Sequence, residues 1–194
     1  MNRSANAILI LLLLAGCAAI GSKEALKIVG NTPWKTVKTG QGDYYTYSCG
    51  SVSVSVDEVV FKSRIDSYGP LLPIIPSGNE RNHENEKLKL QVRITGYSDL
   101  KLYTEKDFII KVVSGGQELI LSDQSIIKIS DRYIEEKGRQ WIQYVVTYNY
   151  DDSLFDIKEI NVHFKYPFTD CSMPELILVR ENVRDNEFIV APGI

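Results

Sequence analysis

Ser51-Val-Ser-Val-Ser-Val56 and Lys87-Leu-Lys-Leu-Gln-Val-Arg-Ile94 are the two stretches that decide the fold. Both alternate polar and apolar residues without an error. Successive side chains on an extended chain point to opposite faces, so this pattern gathers Val52, Val54 and Val56 on one face. In the second stretch it gathers Leu88, Leu90, Val92 and Ile94 in the same way. A helix would need apolar residues at a period of 3.6. Period two predicts half-buried antiparallel strands, one face in the core and the other in water.

The residue choice around these stretches agrees. From residue 17 onward there are 16 Val and 19 Ile against 12 Leu and 4 Ala. Branched and aromatic side chains suit a pleated surface, whereas Ala and Leu suit helices. Further runs follow at short intervals. Phe108-Ile-Ile-Lys-Val-Val113 and Glu118-Leu-Ile-Leu121 flank Ser114-Gly-Gly-Gln117, a predicted hairpin turn. Ile126–Ile129, Trp141–Tyr150, Ile157–Tyr166, Leu176–Val179 and an edge segment Phe188–Val190 complete the set. The one helical competitor, Asp131–Lys137, is a turn long. Eight to ten short strands with Gly, Asp, Asn and Ser between them predict an all-β protein. The expected form is an antiparallel two-sheet sandwich, immunoglobulin-like in the first instance and a closed barrel as the alternative. No internal repeat is evident, so residues 44–194 are read as one domain.

The chain has 194 residues and a formal charge of −3. That size supports one buried core, and the charge does not suggest a nucleic-acid partner, which would call for a basic stripe.

Residues 1–16 differ from everything after them. Arg3 and the amino terminus precede Ile8-Leu-Ile-Leu-Leu-Leu-Leu14, and Ala15-Gly16-Cys17 follows. The run is far shorter than the ~20 apolar residues that span a bilayer. Leu14-Ala15-Gly16-Cys17 resembles the lipobox of bacterial lipoprotein signal peptides. The resemblance implies cleavage before Cys17, S-diacylglycerylation of its thiol and N-acylation of its new amino group. Two or more acyl chains hold a protein stably on a membrane, each buried CH₂ contributing ~0.8 kcal/mol. Ala18 stands where Asp is the usual inner-membrane retention signal of Gram-negative lipoproteins. The implied location is therefore the outer membrane of a bacterial cell envelope, with the domain facing the periplasm. An ordinary secretory signal with an incidental Cys17 is the alternative.

Residues 17–43 are expected to be the lipidated N-terminus and a tether. They hold four glycines, Pro33 and several lysines without a long apolar period. Ser22–Val29 offers at most a helical turn or two, and the lysines would sit near anionic headgroups, an effect of about 1 kcal/mol per charge at best.

Setting Cys17 aside leaves Cys49 and Cys171, an even pair in an exported chain. An oxidising compartment favours a bridge between them. Closing a loop of ~120 residues removes roughly 4–5 kcal/mol of unfolded-state entropy in the chain model. Two buried free thiols are the alternative; a metal pair would need two more ligands that the sequence does not place nearby.

No catalytic, metal or cofactor site is expected. His83 lies in the polar stretch Asn79–Glu86, and His163 shares an outer strand face with Asn161 and Lys165. Nucleophile elbow, Walker loop and HExxH are all absent. Asp151, Asp152 and Asp156 lack the spacing of an EF-hand.

Two features invite a binding role. Tyr68-Gly-Pro-Leu-Leu-Pro-Ile-Ile-Pro-Ser-Gly78 places Pro70, Pro73 and Pro76 at every third residue, near polyproline II geometry. Leu71, Leu72, Ile74 and Ile75 then point in several directions. Such a loop either packs as a crossover over an open end of the sandwich or faces a partner or the membrane. Tyr144, Tyr148 and Tyr150 share one parity, which suits either a sugar-binding ladder or sheet packing. The expected function is a lipid-anchored envelope protein that binds or scaffolds an envelope protein or glycan without catalysis. A lipid-anchored hydrolase using carboxylates such as Asp66, Glu80 or Asp151 is the rival.

Overall fold

The computed structural model describes residues 18–39, 42–68, 79–97, 104–130, 141–166 and 172–185. Among them are thirteen strands, and every pairing whose register is known is antiparallel. In chain order they are β1 (Ala18–Ile28), β2 (Lys35–Val37), β3 (Tyr44–Cys49), β4 (Val52–Asp57), β5 (Val60–Tyr68), β6 (Asn79–Asn82) and β7 (Lys87–Tyr97). There follow β8 (Ile109–Ser114), β9 (Gln117–Glu118), β10 (Leu121–Ser130), β11 (Trp141–Ser153), β12 (Glu159–Lys165) and β13 (Leu176–Asp185). Two 3₁₀ turns, Glu105–Asp107 and Leu154–Asp156, are the only helical elements described.

Contacts gather the chain into two compact units. One holds the described parts of Met1–Glu24, Val60–His83 and Asn182–Ile194; the other holds Ala25–Val59 and Glu84–Glu181. β1 and β13 run through both.

The larger unit is the expected two-sheet sandwich. One sheet runs in the order β10-β11-β7-β4-β3-β2. The other places the end of β1 beside β13, β12, β8 and β9. Alternation does in three dimensions what it promised in one. β7 lies between β4 and β11, so Val54, Ile94 and Tyr144 form one rung and Val56, Val92 and Val146 the next. All six are buried. In the facing sheet Val112, Val162 and Leu176 form the corresponding rung. The sheets meet through aromatic side chains: Phe108 packs on Tyr144 with ring centroids 5.5 Å apart, and Trp34 on Phe164 at 5.3 Å. Each sheet keeps two ends, so the barrel alternative is not formed.

The hairpin predicted at residues 114–117 joins β8 to β9. Gly115 (φ 55°) and Gly116 (φ 81°) occupy left-handed backbone there, which two-residue hairpins of the I′ type require.

In the smaller unit β5 pairs with β6, from Lys62 opposite Asn82 to Ile65 opposite Asn79. These strands lie beside the first part of β1 and the last part of β13, in the order β6-β5-β1-β13. The His83 amide donates to the Phe61 carbonyl at 2.7 Å and closes the pairing.

Three local expectations differ from the structure. Residues 18–28, expected in a tether with at most a helical turn, form strand β1, and 35–37 form β2. Among the side chains described in β1 only Ala25 and Leu26 are fully buried, a neighbouring pair rather than an alternation, so a periodicity test passes over it. The separate runs 118–121 and 126–129 are replaced by β9 and one ten-residue strand, β10, whose Ile127 and Ile129 face outward. Thirteen strands are described where eight to ten were expected: β1, β2, β3, β5 and β6 lie outside the runs read from the sequence, and β5 and β6 are polar on most positions. The segments Asp131–Lys137 and Phe188–Val190 lie outside the described residues.

Leu90 is completely buried on the central strand, whereas Ile127 is 60% exposed. Leu90→Ala should therefore cost about 3 kcal/mol through lost burial and the cavity left behind. Ile127→Ser should stay within about 0.5 kcal/mol of the wild type. Urea unfolding midpoints of the two variants check this contrast.

Candidate functional site

The residues singled out in the sequence fall unevenly on the structure. Cys17, Cys171 and the whole loop Pro70, Leu71, Leu72, Pro73, Ile74, Ile75, Pro76 lie outside the described residues. Cys49 ends β3 and is half-buried. His163 is on the outer face of β12 as expected, its Nε2 3.3 Å from Glu175 Oε1.

Tyr144, Tyr148 and Tyr150 do share a face, but it is the inner one. All three are at most 1% exposed, so their rings present no surface to a sugar. The Tyr148 hydroxyl donates to the Phe108 carbonyl at 3.0 Å and lies 3.1 Å from the Tyr166 hydroxyl. Burial pushes all the phenols of Tyr148, Tyr150 and Tyr166 above the ordinary range. They stay protonated at physiological pH; Tyr148 acts as a neutral donor, and the Tyr150 hydroxyl is buried without a partner among the described residues. Packing is their role.

The carboxylates named for a hydrolytic site do not form one. Asp151 pairs with Lys87 at 2.7 Å on the surface. Glu80 sits on β6 opposite Arg64. The Asp66 side chain is outside the described set. Among the described residues no group of three or more His, Cys, Asp or Glu is arranged to hold a metal ion.

Two charge clusters in the larger unit are structural. Lys27 bridges Asp43, at 2.8 Å, and Glu58, whose side chain is only 2% exposed. The Tyr45 hydroxyl donates to the Leu26 carbonyl beside it. Burial raises the Tyr45 phenol, and the negative charges of Glu58, Asp43 and Glu181 raise it further. The second cluster joins Arg180 to Glu84, and Arg180 Nη1 also donates to the Phe155 carbonyl at 3.3 Å. Each fixes a loop to a strand.

The site that the sequence did not reveal is in the smaller unit. An open groove of about 450 Å³ is lined by residues of β1, β5, β6 and β13. Its charged lining is Lys23, Lys62, Arg64 and Arg184 against Glu24 and Glu80. Four cations and two carboxylates leave the groove at +2 in a chain whose total is −3. Concave walls focus such a field, so the groove attracts anions. β5 brings Lys62 and Arg64 to the same face by its period of two. The other cations come from sequence positions up to 122 residues away from Lys62, the distance to Arg184, and no local motif links them. A basic-polar-basic triplet, Lys62-Ser-Arg64, is the only local trace.

No protein family, curated protein or solved structure matches this chain.

Removing Lys27 would leave two buried carboxylates without their counter-ion. Lys27→Met is expected to cost about 3 kcal/mol, while Lys87→Ala, on an exposed pair, should cost less than about 0.5 kcal/mol. Chemical denaturation distinguishes them. Asp57 carries a pH signature of its own. Arg93 holds one of its oxygens at 2.8 Å, but Oδ1 is buried without a donor among the described residues. Burial outweighs the arginine and raises the Asp57 pKa above its ordinary value. A raised folded-state pKa stabilises the fold below the unfolded-state pKa and loses that contribution as the pH rises through the folded one. The wild type should therefore gain on Asp57→Asn as the pH falls from neutral into the carboxylate range. A constant difference across denaturation curves at several pH values would contradict this.

Proposed function

We propose that this chain is a lipid-anchored protein of a bacterial cell envelope whose β-sandwich works as a non-catalytic binding or scaffolding module. The observation that carries this reading is the run Ile8–Leu14 ending in Leu14-Ala15-Gly16-Cys17. Acylation of Cys17 at two positions supplies enough buried hydrocarbon for permanent attachment. Ala18 at the next position favours the outer membrane, with the domain in the periplasm. Among the described residues no helix is long and apolar enough to cross a membrane.

Several properties of the described domain support a binding role. Tyr144, Tyr148 and Tyr150 are spent on packing, the cluster at Lys27 ties loops to a strand, and the basic groove suits attraction rather than proton transfer. The envelope partner is a protein or glycan met by an exposed surface, with the proline-spaced segment from Pro70 to Pro76 as the leading contact. A Cys49–Cys171 disulfide fits the oxidising compartment and would close the chain around most of the sandwich.

The test is the mass of the mature protein. The peptide beginning at Cys17 is expected to carry a diacylglyceryl group and an N-acyl group. Cys17→Ser blocks that chemistry, and the chain should accumulate as a precursor with residues 1–16 attached. A wild-type mature chain of unmodified mass overturns the reading. Alkylation before and after reduction reports on the bridge: Cys49 and Cys171 should react only after reduction.

A further inference from the structure

We propose that the basic groove of the smaller unit binds the phosphates of anionic lipid headgroups and lays β1 along the surface of the membrane that holds Cys17. The inference rests on acylation of Cys17 and goes beyond it, because an anchor alone says nothing about which face of the protein meets the bilayer.

The first step is the absence of slack. β1 begins at Ala18, the residue after Cys17. Lys23 and Glu24, which line the groove, stand on that same strand. A strand rises about 3.3 Å per residue, so the groove wall at Lys23 is about 20 Å along the strand from the lipid-bearing residue. A true tether of the same length would let the domain wander. A strand does not.

The second step is range. The polar headgroup layer of one leaflet is only about 5–8 Å thick, and charges in physiological salt are screened over about 8 Å. If β1 stood upright, the groove would lie more than two screening lengths from the surface, and its charge would be without effect. If β1 lies along the surface, the groove opens among the headgroups. Only the second arrangement lets four cations act.

The third step is chemistry. Arg64 and Arg184 present planar guanidinium forks that match phosphate oxygens two at a time, and Lys23 and Lys62 supply point charges beside them. Glu24 and Glu80 keep the net charge at +2. That suits reversible contact with several lipids rather than capture of one highly charged ligand. A volume of about 450 Å³ admits a headgroup but not a folded partner. Each cation near an anionic surface contributes about a five-fold factor in binding.

The experiment removes the anchor and keeps the groove. The mature chain, residues 17–194 with Cys17→Ser, is mixed with phosphatidylcholine vesicles, with and without about one-third phosphatidylglycerol. It is expected to sediment with the anionic vesicles alone, and to come off at about 0.5 M salt. Arg64→Glu with Arg184→Glu should weaken this association at least tenfold. Glu80→Gln, which removes a carboxylate opposite Arg64, should tighten it several-fold, a gain that a damaged fold cannot produce. Equal binding to both vesicle types, or indifference to all three substitutions, overturns the proposal. So does saturation of the groove by inorganic phosphate without any vesicle association, which would make the ligand a free anion. Failure here leaves the acyl mass of wild-type Cys17 unaffected, so the two readings fall separately.

Discussion

Burying a phenol is costly unless its hydroxyl finds a partner, and the partners found by Tyr148 align the facing elements of the sandwich, while the Tyr150 hydroxyl stays buried without one among the described residues. β11 sends Tyr144, Tyr148 and Tyr150 inward, where an apolar strand would send only hydrocarbon. Each ring brings a large apolar area, but an unpaired hydroxyl costs roughly 1–3 kcal/mol. Tyr148 meets the demand by reaching across to the Phe108 carbonyl and the Tyr166 hydroxyl. That bond has a direction, which hydrophobic contact lacks, and it selects one alignment of the facing elements. Phe108 and Tyr166 then stack edge to face at 5.4 Å, with Phe164 against Tyr166 and Trp34 against Phe164. Trp34 completes the chain by donating its indole N–H to the Pro174 carbonyl at 3.2 Å. Gln124 supports the same corner from β10, its amide donating to the Glu105 and Phe108 carbonyls, both at 2.9 Å.

Charge is handled by a related economy. At Lys27, Asp43 and Glu58 the sandwich encloses several charged groups together, because an isolated ion in that position would cost more than its attraction returns. Asp57 shows what partial satisfaction looks like: Arg93 serves one oxygen, the other goes without, and the acid form is favoured in consequence. The groove of the smaller unit is the contrary case. Its cations are half-exposed or exposed, so solvent carries much of the cost of keeping them together.

How much of this was legible in the chain depends on whether the pattern was local. β4 and β7 declare themselves because one face of each is wholly apolar, and Val54, Val56, Leu88, Leu90, Val92 and Ile94 are all buried as their parity requires. The inward face of β11 was legible as a parity, but not as inward, because tyrosine suits either side of a sheet. β1 was hidden. It buries the adjacent pair Ala25 and Leu26 and leaves Ser22, Lys23, Glu24 and Lys27 less enclosed, a pattern that reads as linker. The groove was hidden more deeply still, since its cations are drawn from strands far apart in the chain. Tertiary pairing, which no window of sequence contains, brings them together.

That residues 18–28 form a strand bears on function as much as on fold. A flexible tether would make the anchor and the domain independent: lipid at one end, any orientation at the other. With the anchor proposed at Cys17, a strand that begins at Ala18 and lies between β5 and β13 would restrict that freedom. Reach from the membrane is then set by strand geometry, about 3.3 Å per residue, and not by the square-root growth of a random coil. Ala25 and Leu26, eight and nine residues beyond Cys17, are already in a core with no exposed surface. On the proposed anchoring at Cys17, a strand this close to the lipid would narrow the orientations from which a partner is met, which a random coil of the same length would not do.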